Sequence, residues 1–223
     1  MRYCRYIFIV IALMISCVML AQPRLRRPEI YIGGHAGVMA SSMLFNPSVT
    51  GIDIIQSPLS VNGGLVFRYA GHKVCAIQVE ANYMQRGWRE KGDGFDYRRQ
   101  LEYIEVPLLM HLYLGGQHFR GFLNLGPQIG YCFSDTEYGT KNPNQTHQYI
   151  PIQNPFDWGL AAGLGCYIHT KKAGIYQLEA RFNYSLSDTF SNSKMAYFSS
   201  SHAMVASVNL AYLFEIKVKK KKR

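Results

Sequence analysis

The sequence contains too few cysteines for a fold that is held together by disulfide bonds. Five cysteines occur in 223 residues, and those beyond position 21 are Cys75, Cys132 and Cys166. An odd number cannot form a complete disulfide framework, so we interpret them as small apolar wall residues. Beyond the N-terminus, no stretch has the apolar length of a membrane-spanning helix. With 48% hydrophobic residues and 20 glycines, the composition favours one domain of β-structure.

An extended basic surface is also lacking, although the formal net charge is +10. Arg2 and Arg5 lie in the N-terminal leader, and the last seven residues, Lys217–Arg223, hold six positive charges. Residues 22–216 therefore carry a net charge of +2. The basicity is a terminal tail without interleaved aromatic residues, so nucleic acid is not an expected partner. A solvated terminus is the simplest interpretation of the tail.

The N-terminus has the features of a cleaved secretory signal peptide. Two arginines precede an apolar stretch from Tyr6 to Ile15, and Ala21 stands directly before Gln22. Acylation at Cys17 is the competing interpretation, but the residues before it form a poor lipobox. We therefore predict three segments, which are a signal peptide at 1–21, an outer-membrane β-barrel at 22–216 and a basic periplasmic tail at 217–223.

A strict alternation of polar and apolar residues runs through Ile175–Leu186. Gln177, Glu179 and Arg181 share one face of a strand, and Leu178 lies on the other face with further apolar residues. Helical spacing would scatter these charges around the whole circumference, so a β-strand is the better interpretation. In a transmembrane barrel the apolar face contacts lipid and the charges pair inside. A soluble calycin-like barrel with an apolar ligand cavity would invert the two faces and is the alternative.

Seven other segments show the same period of two and complete a set of eight predicted strands. The strands are Glu29–Ala40, Pro58–Tyr69, Lys73–Gly87, Leu101–Leu114, His118–Phe133, Phe156–Thr170, Ile175–Leu186 and His202–Ile216. Their connections alternate long and short, and the long ones are Ser41–Ser57, Trp88–Gln100, Ser134–Pro155 and Ser187–Ser201. Outer-membrane barrels have this rhythm, with short periplasmic turns and longer extracellular loops. Pro107 cannot donate to a ladder, so we expect a sheet edge or a bulge there.

Aromatic residues cluster near both ends of the predicted strands. Those near the loops are Tyr83, Tyr131, Phe156, Trp158, Phe182 and Tyr184, and those near the turns are Tyr69, Tyr113, Phe119, Tyr167, Tyr176 and Phe214. Two aromatic girdles are typical of a chain that crosses two membrane–water interfaces, and they disfavour the soluble barrel. We therefore predict an all-β fold, an eight-stranded antiparallel up-and-down transmembrane β-barrel. It would be integral to the outer membrane with both termini in the periplasm.

The polar faces of the strands predict a network inside the barrel. Its members are Arg68, Gln78, Glu80, Asn82, Glu105, His111, Gln177, Glu179, Arg181 and Asn183. The lumen of an eight-stranded barrel is about wide enough to be filled by side chains. We therefore expect the carboxylates to pair with the guanidinium groups of Arg68, Arg181 and Arg120 as a plug. A narrow gated pore is the alternative, and conductance in a planar bilayer distinguishes the two.

Several motifs resemble those of a known family. They are EANY at Glu80–Tyr83, QRGW at Gln85–Trp88, YIEVPLL at Tyr103–Leu109, Gly126-Pro127 with Gly130-Tyr131, and RFNYS at Arg181–Ser185. On these motifs the sequence resembles the PorT-like outer-membrane β-barrel proteins of the Bacteroidetes, which are related in architecture to small OmpA-type barrels. The resemblance implies a barrel across nearly the whole mature chain and an accessory role in type IX-like protein secretion. The lysine tail departs from such barrels, whose last residue is usually aromatic.

The interior residues give no reason to assign an enzyme. Ser201, His202 and Asp188 come nearest to a nucleophile, a base and a carboxylate, and a barrel enzyme acting on lipid or protein is the alternative function. Ser201 and His202 are adjacent, however, and adjacent residues of an unbroken strand face opposite sides. We expect a non-enzymatic structural or interaction role, with outer-membrane lipid and proteins of a secretion system as partners.

Neither a metal nor a cofactor is expected. His35 and His111 lack carboxylate or cysteine neighbours at zinc-ligand spacing, and we interpret them as hydrogen-bonding groups of the lumen. Partner recognition is predicted for the longest loop, Ser134–Pro155, and the residue that follows it. Aromatic side chains on a loop suit interface contacts, and the candidates are Tyr138, His147, Tyr149 and Phe156.

Overall fold

The computed structural model describes residues 24–46, 53–56, 59–92, 95–116, 118–141, 151–170, 174–190 and 200–216. The strands are β1 (Arg24–Asn46), β2 (Asp53–Gln56), β3 (Ser60–His72), β4 (Cys75–Gly92), β5 (Phe95–Gly115), β6 (Phe119–Thr140), β7 (Phe156–Thr170), β8 (Gly174–Ser185) and β9 (Ser200–Ile216). Among the described residues, no helix has the length and hydropathy needed to cross a membrane. The predicted signal peptide, 1–21, and the basic tail, 217–223, lie outside the described residues.

Eight of these strands form a closed antiparallel barrel. Neighbours follow the order β4-β3-β1-β9-β8-β7-β6-β5, and β5 pairs back with β4. The predicted eight-stranded up-and-down barrel is confirmed. The additional strand, β2, pairs with Trp88–Lys91 of β4, beyond the residues of β4 that pair with β3. Four residues are too few for an alternation to be recognised, so the sequence does not reveal this strand.

The alternation along each strand separates an apolar outside from a largely polar inside. On β8, Gln177, Glu179 and Arg181 are buried, whereas Tyr176 and Leu178 are exposed. The same division on the neighbouring strands produces an outer belt that includes Leu65, Phe67, Ile104, Leu108, Leu125, Ile129, Leu160, Leu164, Val208 and Leu210. A continuous apolar belt of this kind is stable when lipid surrounds it.

The ends of β1 and β9 show which end of the barrel is which. Ile30 pairs with Ile216, so the start of β1 and the end of β9 lie side by side, at the end of the barrel with the short turns. In outer-membrane barrels the short turns face the periplasm and the longer connections face outward. We therefore call these the periplasmic end and the extracellular end.

Three connections are shorter than the sequence predicts because strands continue into them. In the predicted loop Ser41–Ser57, β1 runs to Asn46 and β2 occupies Asp53–Gln56. The predicted loop Trp88–Gln100 is a hairpin in which β4 runs to Gly92 and β5 starts at Phe95. Likewise, the first seven residues of the predicted loop Ser134–Pro155 belong to β6. The charged side chains in these segments indicate water outside the sheet and not an irregular backbone. A strand above the membrane has no need of an apolar outer face.

Pro107 lies inside β5 with neither an edge nor a bulge, so that expectation is wrong. The β4–β5 ladder is interrupted between the pairs Val79–Leu108 and Asn82–Glu105, and the register is the same on both sides. The missing N–H of proline therefore removes local ladder pairs without inserting a residue. The continuous pairing above and below this position holds the strand in line.

The core lies inside the barrel, in layers along its axis. An apolar floor near the periplasmic end consists of Tyr31, Val66, Ala70, Ala76, Tyr113, Phe122, Tyr167, Ile175 and Leu213. An apolar lid near the extracellular end consists of Met43, Trp88, Leu101, Tyr103, Cys132 and Phe190. Tyr113 and Tyr167 are buried in the floor, so their assignment to the aromatic girdle near the turns is wrong. Polar side chains fill most of the section between floor and lid, together with a small apolar cluster of Met39, Met84 and Val205.

Candidate functional site

The section between floor and lid contains all ten residues of the predicted lumen network. Each has an exposed fraction of 7% or less. Arg68 comes from β3, and the other nine come from β4, β5 and β8. Because these strands belong to different walls of the barrel, the contacts among the ten side chains run across the lumen.

Arg181 is the centre of this network. Its Nη1 and Nη2 atoms donate to the two carboxylate oxygens of Glu80 across the lumen, at 2.6 and 2.7 Å. Its Nε and Nη2 atoms also donate to Glu179 on the same strand, both at 2.9 Å. A two-point contact of this kind orients a guanidinium group as well as neutralising it. Gly163 makes room for the Glu179 carboxylate, because a Cβ atom at position 163 would collide with it.

A second guanidinium, that of Arg68, joins the same cluster through amides. Its Nε donates to Gln78 at 2.7 Å, and its Nη2 donates to Gln177 at 2.5 Å. The side-chain amides of these two glutamines donate in turn to Glu80 and Glu179. Two arginines and two glutamates thus share one hydrogen-bonded cluster without net charge, which lowers the free-energy cost of burying them.

Arg120, the third arginine expected to pair inside, does not reach this cluster. Its guanidinium lies over the ring of Tyr113, 5.1 Å from the centroid, and its Nε donates to the carbonyl oxygen of Gly116. Arg120 therefore belongs to the periplasmic end, where it covers the floor.

Both lumen histidines are attached to the network through asparagine amides. His111 Nδ1 lies 2.6 Å from Asn124 Oδ1, and Asn124 donates to Glu179 at 2.9 Å. His35 Nε2 lies 2.7 Å from Asn82 Oδ1. Over the described ranges, no group of three or more histidine, cysteine or acidic side chains could hold a metal ion. The two histidines hydrogen-bond to neutral partners.

A second ion cluster lies between the central network and the lid. Arg86 forms ion pairs with Glu105 of β5 and with Asp157 of β7, where Nη1 and Oδ2 are 2.5 Å apart. Ser185 donates to the same Asp157 oxygen at 2.8 Å, and the Arg86 guanidinium lies 4.7 Å from the Tyr103 ring centroid. The predicted network omits Arg86 and Asp157. Asp157 stands between the outward-facing Phe156 and Trp158, and Arg86 has the same parity on β4 as Glu80 and Asn82. These positions are the signal that could have identified the two residues.

Phe190 closes the lumen from the extracellular side. Its side chain is 1% exposed, and its ring meets that of Trp88 edge to face at 6.4 Å. Its backbone N–H donates to Ser201 Oγ at 2.9 Å, which ties the segment to β9. A cavity beside the lid, lined in part by Met43 and Arg86, holds about 10 Å³, room for at most one water molecule. Phe190 follows a strand in a predicted loop, where no alternation marks its burial.

A bulge at Phe133 brings further charges into the extracellular mouth. The β5–β6 register shifts by one residue there, which reverses the inward and outward parity of the rest of β6. Asp135 and Glu137 consequently turn toward the mouth, where Arg99 Nη2 lies 2.5 Å from Asp135 Oδ2 and the Tyr97 hydroxyl donates to Glu137 at 2.9 Å. Burial raises the pKa of the Tyr97 hydroxyl well above its ordinary value, and the hydrogen bond to Glu137 adds to this rise. The positive charge of Arg99 lowers the pKa but does not outweigh these two effects.

Ser201, His202 and Asp188 do not form a catalytic arrangement. Ser201 Oγ faces inward and accepts the Phe190 N–H, whereas His202 Nδ1 lies 3.3 Å from the carbonyl oxygen of Ser187. Asp188 Oδ1 accepts the backbone N–H of Ser201 at 2.7 Å and lies 4.0 Å from His202 Nδ1. These contacts hold the segment before the lid residue against β9.

The predicted recognition residues do not share one loop. Tyr138 lies on the exposed outer face of β6, so its assignment to a loop is wrong. Phe156 is the first residue of β7, as the predicted strand Phe156–Thr170 has it. His147 and Tyr149 lie outside the described residues. Tyr138 covers Arg98, whose guanidinium is 6.0 Å from the ring centroid. The exposed surface above the membrane that carries Tyr138 is therefore a sheet.

Comparison with known proteins leads to one family of membrane barrels. The family model described as an outer membrane protein beta-barrel domain matches residues 20–191. No curated protein sequence matches the chain significantly. The family match covers strands β1 to β8 and the lid residue Phe190.

Solved structures of other outer-membrane proteins also match the chain. OprG from Pseudomonas aeruginosa is 15% identical with a TM-score of 0.53, and the match covers 83% of this chain and 95% of OprG. The attachment invasion locus protein Ail of Yersinia pestis is 14% identical with a TM-score of 0.43, over 83% of this chain and 99% of Ail. Outer membrane protein W of E. coli is 13% identical with a TM-score of 0.42, over 83% and 97%. At these identities the likeness to OprG shows the fold alone.

Proposed function

Because the chain belongs to the outer membrane protein beta-barrel domain family and is integral to the outer membrane, we propose that it is a closed, non-enzymatic barrel with a structural or interaction role. The filled lumen carries this proposal. Arg181 links β8 to Glu80 on another wall, and the lid and the floor cover this cluster from both ends. Eight strands enclose a lumen that side chains can fill, so a plug needs no extra domain.

The commitment of polar groups to one another supports the non-enzymatic part of the proposal. The central carboxylates already accept several hydrogen bonds each, and the Ser201 hydroxyl and the His202 imidazole have separate partners. A nucleophile needs a base within hydrogen-bonding reach of the same substrate. The surfaces left for interaction are the apolar belt, which contacts lipid, and the exposed sheet above the membrane, which is available to a protein partner.

Conductance of the purified full-length protein in a planar bilayer tests the closed lumen. We expect no single-channel steps from the wild type. The double variant Glu80→Ala with Arg181→Ala removes the central link and should conduct if it folds, which shows that the assay detects an open lumen. The double variant Arg89→Ala with Asp96→Ala, an ion pair above the membrane, is the matched control and should stay silent. Steps from the wild type would favour the gated pore.

The narrower role in this proposal is that of an accessory factor in type IX-like protein secretion, as in the PorT-like proteins of the Bacteroidetes that the sequence resembles. The motifs behind this resemblance contain Glu80, Arg86, Glu105 and Arg181, which all belong to the two ion clusters. The motifs therefore reflect the filled lumen more than a binding surface for a secretion partner. Deleting the gene should reduce the amount of exported protein at the cell surface, measured by surface proteomics. An unchanged surface proteome contradicts the narrower role and leaves the closed barrel standing.

A further inference from the structure

The extracellular part of β6 has an open flank. β6 pairs with β5 as far as Thr140, but its pairing with β7 ends at Tyr131 and is followed by one bond from the N–H of Cys132 to the carbonyl oxygen of Pro155, at 2.8 Å. In the part of the chain that the structure describes, no strand pairs with Ser134–Tyr138 on the β7 side. Among the described residues, the backbone N–H and C=O groups on this side of Ser134–Tyr138 therefore have no ladder partner above the membrane belt.

The alternation of the ladder identifies the groups on this flank. The N–H of Cys132 points toward β7, and successive residues of an antiparallel strand alternate between their two neighbours. Because the bulge at Phe133 adds one residue, the next groups that face the open flank belong to Asp135 and Glu137. Gly139 ends the regular edge, because its φ is +85°. The open edge is thus short but long enough for a small added strand.

The edge is already rigid without a partner. On its mouth side, Arg99 holds the carboxylate of Asp135, and Lys141 Nζ lies 2.6 Å from Glu137 Oε2. On the other flank, β5 pairs with every one of these residues. An incoming peptide would therefore lose its own conformational freedom while the edge loses little, which favours association.

The outer face beside the edge determines which peptide fits. A shallow depression of about 500 Å³ is lined by Arg89, Asp96, Arg98, Tyr138, Gly139 and Thr140. Arg89 is paired with Asp96 at 2.5 Å, whereas Arg98 donates to the neutral amide of Gln100 at 3.1 Å. Tyr138 is 51% exposed. The depression therefore combines a guanidinium bonded to a neutral group with an exposed aromatic ring.

We propose that the β6 edge, Ser134–Tyr138, docks an extended segment of another protein, which adds a strand above the membrane and places an acidic side chain near Arg98. Main-chain bonds to Asp135 and Glu137 would supply affinity, and alternate side chains over the depression would supply specificity. A second copy of this chain fits less well, because its own edge carries the same charges and like charges would oppose each other. This inference rests on the proposed interaction role and names the chemistry of the partner.

A synthetic ten-residue peptide of alternating valine and glutamate is the probe, and full-length protein in lipid nanodiscs is the target. We expect the peptide to bind, measured by fluorescence anisotropy, and to slow amide hydrogen exchange in residues 134–138. The same peptide with all backbone amides N-methylated keeps its side chains and loses its donors. Its affinity should fall about tenfold or more. Equal binding of both peptides, or no binding of the unmethylated one, overturns the proposal.

Two variants at one position separate the backbone from the side chain. Glu137→Pro removes the N–H that faces the open flank, whereas Glu137→Ala removes the carboxylate alone. We expect the alanine variant to bind the peptide and the proline variant to lose binding, with both retaining the heat-modifiable gel mobility of a folded barrel. Equal binding by the two folded variants contradicts the edge. A conducting lumen with intact peptide binding would refute the closed barrel alone, and a closed lumen without peptide binding would refute the edge alone.

Discussion

Two ion pairs of similar geometry, one inside the barrel and one above the membrane, differ in what they do. Arg181 and Glu80 are 101 residues apart in the chain, meet at 2.6 Å, and have side chains that are 5% and 1% exposed. Arg89 and Asp96 are seven residues apart across a hairpin, meet at 2.5 Å, and are 38% and 49% exposed. The two distances differ by only 0.1 Å, so the surroundings account for the difference.

The interior pair joins two walls of the barrel in a space that water does not fill. Removing one partner leaves a charge that cannot be solvated, and this is strongly destabilising even where the intact pair contributes little net free energy. The exposed pair joins neighbours that the hairpin already holds together, and water solvates either partner if the other is lost. Position along the barrel axis therefore decides which charges are essential to the fold.

Arg181→Met should have the largest effect. It leaves Glu80 and Glu179 as uncompensated buried carboxylates, and we expect the free energy of unfolding to fall by about 3 to 5 kcal/mol. Urea titration of the protein in lipid, followed by heat-modifiable gel mobility, measures the change. Arg89→Met is the matched control and should leave the midpoint in place. Equal shifts in both variants would remove the distinction between the two pairs.

Leu178→Arg tests the same contrast on the outer surface. Leu178 faces outward on β8 within the apolar belt, where an arginine should cost about 2 to 4 kcal/mol near the bilayer midplane. Thr136→Arg places the same side chain on the exposed part of β6 and should leave stability unchanged. Single cysteines at 178 and 179 give an independent check. A lipid-soluble probe should label position 178, and labelling of 179 alone would invert the assignment of the faces.

Phe190→Ala should open the lid while the ion clusters below it stay closed. Cys132 packs in the lid, so its reaction with a charged maleimide should accelerate about tenfold, which corresponds to about 1.4 kcal/mol of local opening free energy. The measurement uses a background in which Cys75 and Cys166 are alanine. Tyr138→Ala, which removes an exposed aromatic ring, should leave the rate unchanged. A rise in conductance would place the seal in the lid instead of in the ion clusters.

The pH dependence of the exposed pair should be the smallest effect. The hydrogen bond from Arg89 holds the pKa of Asp96 below its ordinary value. The stabilisation of the folded state by the Asp96 carboxylate is therefore present above the ordinary pKa of an aspartate. It disappears as pH falls through the lowered pKa. In Arg89→Met the pKa of Asp96 should return toward its ordinary value, as measured by the NMR shift of the carboxyl carbon. An unchanged pKa means that the pair does not persist in solution.

The sequence predicts the strands and their faces within the membrane better than it predicts the chain above it. Along β8 the alternation of Leu178 and Glu179 is regular, because lipid on one side and a polar lumen on the other both constrain the side chains. Above the belt, water lies on the outer side, so Trp88–Gly92 and Phe95–Gln100 look like a polar loop although they are strands. The alternation of polar and apolar residues does not reveal the bulge at Phe133. Asp135 faces inward only because that bulge reverses which residues of β6 face the lumen.

By itself, the sequence determined that this chain forms strands with one apolar and one polar face, because the alternation of side chains is a local property of an extended backbone. Only the tertiary structure decided which charges meet. Arg181 has Glu80, Glu105 and Glu179 as equal candidates in the sequence, yet it binds two of them, and Arg86 binds Glu105. Contacts across a lumen depend on the stagger of the strands around the whole barrel. No single strand contains that information, because the stagger is set jointly by all eight barrel strands.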